Sequence, residues 1–325
     1  MKPTRIPLVL LPTPLHRLDR LSEDLGLDLW IKRDDLTGFA LGGNKGRKLE
    51  YLMSEAIASG ANAVVTCGAA QSNFVRQLAA ACAVCGLVCH AVVMRLPFDA
   101  AVGKPDGAPP AAAGGNVLLD ALFGANLYLV PDDDWISLYA QAEDLAVRLE
   151  SEGATVYRVP IGGSSPLGGY AFFEAAKELE CALPFDAILT STSSGSTQAG
   201  LGIALRGSST RVVGIAADPE PDLIEDVLRV SSGLADLLSI DAPGEHDFEV
   251  RSEWAGPGYG IPSEAGNEAI QLMARREGIL LDPIYTGKAF AGLLSMAESG
   301  ELKGRVLFWH TGGAPALFAM DVNAK

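Results

Sequence analysis

The stretch that decides the fold class spans residues 63–94, AVVTCGAAQSNFVRQLAAACAVCGLVCHAVVM. The apolar runs at 63–66 and 87–94 have the length and composition of buried strands, and residues 74–84 between them have the composition of a helix. Strand, helix and strand in this order build two parallel strands joined by a crossover helix. The polar turn at 67–73 then follows the carboxyl end of a strand, where open α/β sheets bind their ligands.

The same alternation continues along the rest of the chain. Further strands are predicted at residues 126–130, 155–158, 187–191, 212–216 and 306–309. Further helices are predicted at residues 46–59, 135–151, 170–179, 198–206 and 263–276. This pattern predicts an α/β protein with parallel sheets that are flanked by helices on both faces.

The composition argues against several classes of function. The chain has 325 residues, of which 48% are hydrophobic, and its 40 acidic and 25 basic side chains give a formal charge of −15. Nucleic-acid and anionic membrane surfaces need clustered Lys and Arg, so we expect neither partner. No run reaches the ~18 apolar residues of a membrane helix. The apolar run at 6–11 is interrupted by Pro7 and is too short for a signal peptide, so we expect a cytoplasmic protein.

The cysteines and one low-complexity stretch permit further predictions. Five cysteines, including Cys67 and Cys181, form an odd set without a secretory signal, which predicts free thiols. The run from Cys82 to His90 has a superficially metal-like spacing but lies among Ala and Val, so we expect buried thiols and no metal site. Residues 97–115, rich in Ala, Pro and Gly, predict an exposed, mobile loop, with a lid over the site as the alternative.

The turn at Gly42 and Gly43 is the first candidate for chemistry. It leads into a helix-like stretch that begins near Lys45 and contains Arg47 and Lys48. A helix N-terminus and neighbouring cations lower the pKa of an amine, and a neutral lysine forms a Schiff base with an aldehyde. The alternative is an ordinary basic turn that opens a surface helix.

Two further polar turns each follow a predicted strand. Gln71, Ser72 and Asn73 either bind an anion through side chains and backbone N–H groups or simply cap the following helix. Residues 190–200, TSTSSGSTQAG, place small hydroxyls and glycines around one point, which suits a phosphate monoester. This turn lacks the lysine of a P-loop, which argues against a nucleoside triphosphate. Its alternative is a flexible polar turn.

Three residues late in the chain complete the set. Tyr259 and Tyr285 have hydroxyls suited to acid–base or anchoring roles, and Thr311 is a neutral hydrogen-bond partner, although each alone also fits a core or capping position. Together with Lys45 these residues indicate pyridoxal phosphate, because its aldehyde needs an amine, its phosphate needs donors and its ring nitrogen needs a partner. The glycine fingerprint of a nicotinamide-dependent dehydrogenase is missing.

Five motifs of the sequence together resemble those of one known family. In order they read GGNKGRKLEYL, GAAQSNFVRQLAA, SSGSTQAGL, YTGKAFAGL and HTGGAPALF, and they resemble the D-cysteine desulfhydrase and 1-aminocyclopropane-1-carboxylate deaminase family. The resemblance covers roughly residues 6–320 and implies the two-domain fold type II architecture of the tryptophan synthase β type. It implies a larger cofactor-binding domain of residues 1–47 and 156–325, a smaller domain of residues 48–155 that closes over the substrate, and a homodimer.

The resemblance also implies roles for individual residues. The implied catalytic residues are Lys45, Tyr285, Ser72 and Tyr259. The implied cofactor contacts are Lys45, which forms the Schiff base, with Lys48, Asn73, Gly195, Ser196, Thr197 and Thr311. The implied substrate contacts are Gln71, Ser72, Asn73 and Tyr259.

Two positions bear on the reaction. Thr286 and Thr311 stand where cyclopropane deaminases usually have Glu and Leu, and a neutral partner for the ring nitrogen suits β-elimination better than ring opening. The resemblance therefore implies a carbon–sulfur lyase that depends on pyridoxal phosphate and acts on a small amino acid, with D-cysteine giving pyruvate, sulfide and ammonia as the first expectation. Phe74 stands where desulfhydrases of this family commonly have His. L-cysteate sulfo-lyase and cyclopropane deaminase activities remain alternatives within the family, and a non-catalytic amino-acid-binding protein is the alternative outside it.

Overall fold

Two parallel-rich sheets form the frame of the molecule. They are built within residues 2–108, 111, 113–180 and 184–319, which the computed structural model describes. The strands are β1 (Leu15–Arg17), β2 (Asp28–Arg33), β3 (Ala63–Ala69), β4 (Val88–Met94), β5 (Asn126–Leu129), β6 (Val156–Arg158), β7 (Ala187–Thr192), β8 (Arg211–Ala216), β9 (Glu249–Arg251) and β10 (Arg305–His310). The α-helices are α1 (Asp19–Leu25), α2 (Lys45–Ala58), α3 (Asn73–Cys85), α4 (Gly115–Leu122), α5 (Trp135–Ser151), α6 (Pro166–Ala176), α7 (Ser196–Leu205), α8 (Leu223–Leu238), α9 (Glu264–Glu277) and α10 (Thr286–Glu298).

The larger sheet has six strands in the described part of the chain, in the order β1-β2-β10-β7-β8-β9. Every neighbouring pair is parallel except β1 with β2. Its register places His310 opposite Arg33 and Trp309 opposite Thr190. The turns that follow β2, β10, β7 and β8 therefore lie along one edge of this sheet, which is where an α/β fold builds a ligand site.

The second sheet has the order β5-β4-β3-β6 among the described residues, and all of its pairs are parallel. In this sheet β6 follows the predicted domain boundary at residue 155, yet its Val156 pairs with Ala63 of β3. Val156 also packs in the apolar cluster between this sheet and α5, which explains why β6 joins it. The four-stranded sheet thus extends to Arg158, and the division of the chain into two domains stays a prediction.

Every strand and helix predicted above is present, with ends shifted by a few residues, and the α/β class is confirmed. The predicted ranges do not include β1, β2, β9, α1, α4, α8 or α10. Two of these strands have only three residues, and β2 mixes charged with apolar residues because Lys32 and Arg33 have carboxylate partners. Such partners come from folding and leave no local pattern.

The smaller predictions have separate outcomes. Cys67, Cys82, Cys85 and Cys89 are free thiols, whereas Cys181 lies outside the described residues. The described residues of the 97–115 stretch are mostly exposed, α4 begins at its last residue, and residues 109, 110 and 112 lie outside the description. Across the described residues, no helix has both the length and the apolar character that crossing a bilayer requires.

A buried ion-pair network holds the first turn of α2. Arg47, 2% exposed, donates to both oxygens of Asp34 at 2.9 and 2.7 Å and to Glu178 at 2.6 Å. Asp34 also accepts hydrogen bonds from Thr13 Oγ1 and Trp309 Nε1, both at 2.9 Å. The network therefore joins the N-terminal segment, the end of β2 and β10 to the helix that carries Lys45.

Replacing Arg47 by Met should lower the free energy of unfolding by about 3–5 kcal/mol, because it leaves Asp34 charged and buried without its cation. The matched control is Arg158→Met, since the guanidinium of Arg158 pairs with Glu143 and Glu150 on the exposed surface. Its loss should cost less than about 1 kcal/mol. Urea unfolding at pH 7 measures both variants, and equal losses would contradict the assignment of the Arg47 network as a buried anchor.

Candidate active site

One cavity of about 660 Å³ gathers the polar turns at the strand ends. Its walls come from both sheets and from the helices that follow their strands. Its lining contains these predicted site residues: Lys45, Lys48, Ser72, Asn73, Gly195, Ser196, Thr197, Tyr259, Tyr285 and Thr311. Residues up to 266 positions apart in the sequence thus meet at the edge that the strand pattern indicated.

Gln71 is the predicted site residue that the structure does not place in this lining. Its side chain amide donates to the carbonyls of Ala111 and Gly114 at 3.0 and 3.2 Å, and its Oε1 accepts from the Asn116 amide at 2.8 Å. These bonds direct the side chain to the turn before α4. The geometry therefore supports a role for Gln71 in fixing that turn rather than in contacting a substrate directly.

Two lysine side chains share the floor of the cavity. Lys45 begins α2 and Lys48 lies one turn later, so both amines lie on one helix face. Lys48 is 1% exposed and donates to the carbonyl of Gly162 at 3.0 Å. Burial lowers the pKa of Lys48 well below its usual value, and the neighbouring Lys45 lowers it further.

The Lys45 amine is poised between its two protonation states. Burial lowers its pKa to about 8, against the opposing effects of a hydrogen bond with Lys48 and the charge of Asp282. Roughly one tenth of Lys45 is therefore neutral at pH 7, and the neutral fraction increases as pH rises toward about 8. The neutral amine is the form that attacks an aldehyde.

The turn before Lys45, residues 42–44, is held tightly. A Cβ added to Gly43, at φ +118°, would lie 2.6 Å from Gln77 Nε2, so only glycine fits there. The backbone N–H of Asn44 donates to the carbonyl of Thr311 at 2.9 Å, and the Asn44 side chain donates to Thr197 Oγ1 at 3.0 Å. Asn44 also lines the cavity, although the sequence analysis did not single it out.

A hydroxyl cup, which we define as Thr192, Ser196 and Thr197, lies where β7 leads into α7. Gly195, at φ +85°, is the N-cap residue of α7 and has no side chain that could accept a hydrogen bond from the first N–H groups of the helix. The hydroxyls of Thr192 and Ser196 are buried and have no hydrogen-bond partner among the described residues. Buried hydroxyls without partners are costly, and the N-terminus of α7 favours negative charge. The cup is therefore suited to an anion.

Two further hydroxyls meet where the neighbouring strands β7 and β10 end. Thr311 Oγ1 and Ser191 Oγ lie 3.0 Å apart, and both residues line the cavity. The hydroxyl of Thr286, by contrast, donates to Asp282 Oδ2 at 2.7 Å and belongs to the start of α10. Ser191 is the last residue of a predicted strand, and its partnership with Thr311 depends on pairing between β7 and β10 that local patterns do not reveal.

Tyr259 and Tyr285 contact each other in the cavity wall and are called the tyrosine pair below. Their hydroxyl oxygens lie 2.5 Å apart, and the ring of Trp135 packs edge-on against Tyr259 at 5.1 Å between ring centres. Burial raises the pKa of both phenols well above the usual value. The pair is therefore protonated near neutral pH, so its hydroxyls are available as proton donors and not as bases.

The start of α3 forms another part of the wall. Ser72 caps this helix, and its Oγ accepts from the backbone N–H groups of Phe74 and Val75 at 3.2 and 3.3 Å. Asn73 Oδ1 accepts from the Asn116 side chain at 3.1 Å. Phe74 is 2% exposed and belongs to the apolar cluster between α2 and α3, so it is a core residue that also reaches the lining.

An acidic wall (Asp99, Glu220, Asp222, Glu225 and Asp226) closes the outer part of the cavity. Glu220 accepts a hydrogen bond from Trp135 Nε1 at 2.5 Å. Burial, and next the charge of Asp218, raise the pKa of Glu220 to about 8. The sequence analysis missed this wall, although the run DPEPDLIED directly follows a predicted strand and offered a signal.

Comparisons with known proteins agree with this geometry. The family model described as pyridoxal-phosphate dependent enzyme matches residues 6–312. A D-cysteine desulfhydrase of Klebsiella pneumoniae (strain 342) is 39% identical over 324 residues, which cover 97% of this chain and 95% of the relative. A D-cysteine desulfhydrase of Salmonella choleraesuis (strain SC-B67) is 40% identical over 327 residues, with coverage of 97% and 95%.

Solved structures extend the likeness to the fold. One described as an ACC deaminase homologue matches with a TM-score of 0.87 and 35% identity, covering 97% of this chain and 93% of the other. An O-ureido-L-serine synthase matches with a TM-score of 0.67 at 20% identity, covering 96% and 93%, and shows the fold alone. The family resemblance and the fold type II architecture expected from the motifs are confirmed.

The residues of the cavity fit pyridoxal phosphate. The partnerless hydroxyls of Thr192 and Ser196 suit its phosphate, and the Lys45 amine suits its aldehyde. The paired hydroxyls of Thr311 and Ser191 suit its ring nitrogen. A phosphate dianion held by neutral donors and a helix N-terminus needs no cluster of cations, which agrees with the acidic composition of the chain.

The pKa of Lys45 predicts how covalent capture of the cofactor depends on pH. Capture should increase as pH rises through about 8, because the amine loses its proton there and becomes nucleophilic. The rate of borohydride-trappable adduct formation, measured from pH 6 to 9.5 on cofactor-free protein, tests this. Lys45→Ala should form no adduct in the cavity, and a wild-type rate that is independent of pH would contradict the prediction.

Ser196→Ala should weaken binding of pyridoxal phosphate about 10- to 100-fold, since it removes a hydrogen bond to a charged group worth about 1.5–3 kcal/mol. The stability of the cofactor-free protein should not fall, because the Ser196 hydroxyl has no partner among the described residues. Fluorescence titration with the cofactor and thermal unfolding without it separate the two effects. Unchanged affinity would remove Ser196 from the cup.

Proposed function

We propose, since the chain belongs to the pyridoxal-phosphate-dependent enzymes of the D-cysteine desulfhydrase and ACC deaminase family, that it is a carbon–sulfur lyase that converts D-cysteine to pyruvate, sulfide and ammonia. The observation that carries this proposal is a base and an acid in one cavity. The Lys45 amine has a pKa of about 8, and the tyrosine pair keeps its protons. β-Elimination needs one group of each kind.

The proposed roles follow from these protonation states. When bound, pyridoxal phosphate supplies the electron-withdrawing ring that acidifies the α-carbon of an amino acid. Lys45 holds the aldehyde until the substrate amine replaces it, and its freed amine then accepts the α-proton. The tyrosine pair donates a proton toward the departing sulfur. The net reaction breaks the α-C–H, β-C–S and α-C–N bonds and consumes one water, which supplies the keto oxygen of pyruvate as ammonia leaves.

The substrate is oriented by the N-terminus of α3. Ser72 and Asn73 line the cavity at that helix start, and a helix N-terminus favours a carboxylate. The proposal assigns the substrate carboxylate to this place and its β-substituent to the side of the tyrosine pair. As the resemblance implies, we also propose that the protein works as a cytoplasmic homodimer.

The acidic wall supports a neutral or weakly acidic leaving group over a sulfonate. The cationic side chains of the lining are Lys45, Lys48 and Arg229, and Arg229 is already paired with Asp226. Above a pH of about 8, where Glu220 carries its negative charge, a permanently charged sulfonate beside it would meet like charge, which costs several kcal/mol when it is desolvated. This favours D-cysteine over the L-cysteate alternative.

Assays of purified holoenzyme on D-cysteine, L-cysteate, D-serine and 1-aminocyclopropane-1-carboxylate test the proposal. We expect kcat/KM for D-cysteine to exceed that for L-cysteate by about 100-fold or more. The difference should grow as pH rises through about 8, because Glu220 gains its negative charge there. Pyruvate and the released anion are measured together. Faster turnover of L-cysteate, or turnover of the cyclopropane substrate alone, would contradict the assignment.

A further inference from the structure

A buried cation that is outside the cavity lining joins the segments that carry the tyrosine pair. Lys288 is 0% exposed and lies in the first turn of α10. Its amine donates to the carbonyl of Ala217 at 2.7 Å and to the carbonyl of Gly258 at 3.1 Å. Burial of an ammonium group costs several kcal/mol, so this position opposes stability unless its contacts compensate.

The two carbonyls identify what Lys288 holds. Gly258 immediately precedes Tyr259, and Ala217 follows the last residue of β8. Tyr285 is the N-cap residue of the helix that carries Lys288. The Lys288 amine therefore connects the backbone that precedes Tyr259 to the helix whose N-cap residue is Tyr285. The hydroxyl oxygens of these two tyrosines lie 2.5 Å apart.

Two carboxylates face this amine from different elements. Asp218 follows β8 and is buried, and its Oδ2 accepts from Ser193 Oγ at 3.2 Å in the turn before α7. Asp282 caps α10 and accepts from the backbone N–H of Tyr285 at 2.8 Å. Both carboxylates raise the pKa of Lys288, which burial lowers to about 8. Their charges offset part of the cost of burying the amine, so it is retained between them.

We propose that Lys288 is a positioning residue for proton transfer by the tyrosine pair. The inference rests on the proposed function, because it assumes that Tyr259 and Tyr285 take part in proton transfer. Without the amine, the loop before Tyr259 loses its link to α10. A misplacement of about 1 Å at a reacting group costs about 100-fold in rate.

The test uses the holoenzyme of Lys288→Met, which keeps the length of the side chain and removes its donors. Alanine has no leaving group, so exchange of its α-hydrogen with D2O, followed by NMR for both enantiomers, reports the α-proton transfer assigned to Lys45 alone. We expect exchange per bound cofactor and the cofactor bound per subunit to be unchanged. With D-cysteine, where the tyrosine pair protonates the departing sulfur, kcat should fall about 10- to 100-fold and KM should change less than about threefold.

Lys32→Met is the matched control, because Lys32 is also a buried amine that donates to a carbonyl, that of Thr13 at 2.6 Å, but contacts neither tyrosine. It should lower thermal stability and leave kcat for D-cysteine per bound cofactor unchanged. If Lys288→Met does not fold, Lys288→Gln keeps one donor and should show slower turnover of D-cysteine than the wild type. Wild-type turnover of D-cysteine in either Lys288 variant, or loss of α-hydrogen exchange or of cofactor binding as the main defect, would overturn the inference.

The same measurements separate this inference from the proposed function. A wild-type enzyme that exchanges the α-hydrogen of alanine and eliminates the β-substituent of another amino acid of the panel, but not of D-cysteine, would refute the substrate assignment. The role of Lys288 would stand if Lys288→Met slowed that elimination and not the exchange. Turnover of D-cysteine at the wild-type rate in Lys288→Met would refute the role of Lys288 and leave the substrate assignment standing. A wild-type holoenzyme that catalyses neither reaction would refute both.

Discussion

Two lysine amines that share the floor of one cavity impose the constraint on which the site depends. Lys45 and Lys48 lie on one face of α2, and burial lowers the pKa of each, while the neighbouring Lys45 lowers the pKa of Lys48 further. Between them in sequence, Arg47 buries its charge on another face against Asp34 and Glu178. The first turn of α2 thus keeps a fixed ion-pair network on one side and, on the other, an amine with a lowered pKa that loses its proton readily. The network supplies the rigidity that a reactive amine in a low-dielectric site needs.

The hydroxyl cup and the acidic wall of the cavity are suited to groups of different charge. At the hydroxyl cup, the expected phosphate faces neutral donors and the N-terminus of α7, with Ser196 as a buried hydroxyl awaiting a partner. At the acidic wall, the hydrogen bond from Trp135 to Glu220 links α5, which packs on the four-stranded sheet, to the turn after β8 of the six-stranded sheet. A Cβ built on Gly258 would lie 2.6 Å from Pro105, so these two segments also approach closely. The cavity is thereby suited to an anion at the hydroxyl cup and unfavourable for a second anion at the acidic wall.

Much of this arrangement was predictable because parallel strands bring their following turns to one edge. That rule placed the polar turns at 67–73 and 190–200 at strand ends, whereas Lys45, Tyr259 and Tyr285 follow no predicted strand and were grouped with them by their chemistry and by the family resemblance. The elements and residues that the sequence patterns did not predict depend on pairing between distant parts of the chain. Residues of β2 mix charge with apolar character because their partners lie in β10 and in the turn after α6. Ser191 gains its role from Thr311, and Lys288 gains its role from two carbonyls, so no local pattern marks either residue.

Locating the covalent bond to the cofactor tests the central claim most directly. Protein loaded with pyridoxal phosphate is reduced with borohydride, digested and mapped by mass spectrometry, and both lysines of the sequence NKGRK are resolved. The account predicts the reduced cofactor on Lys45, because that amine is the one left free of the Gly162 carbonyl at the cavity floor. A label on Lys48, or on a lysine outside the cavity, would contradict it.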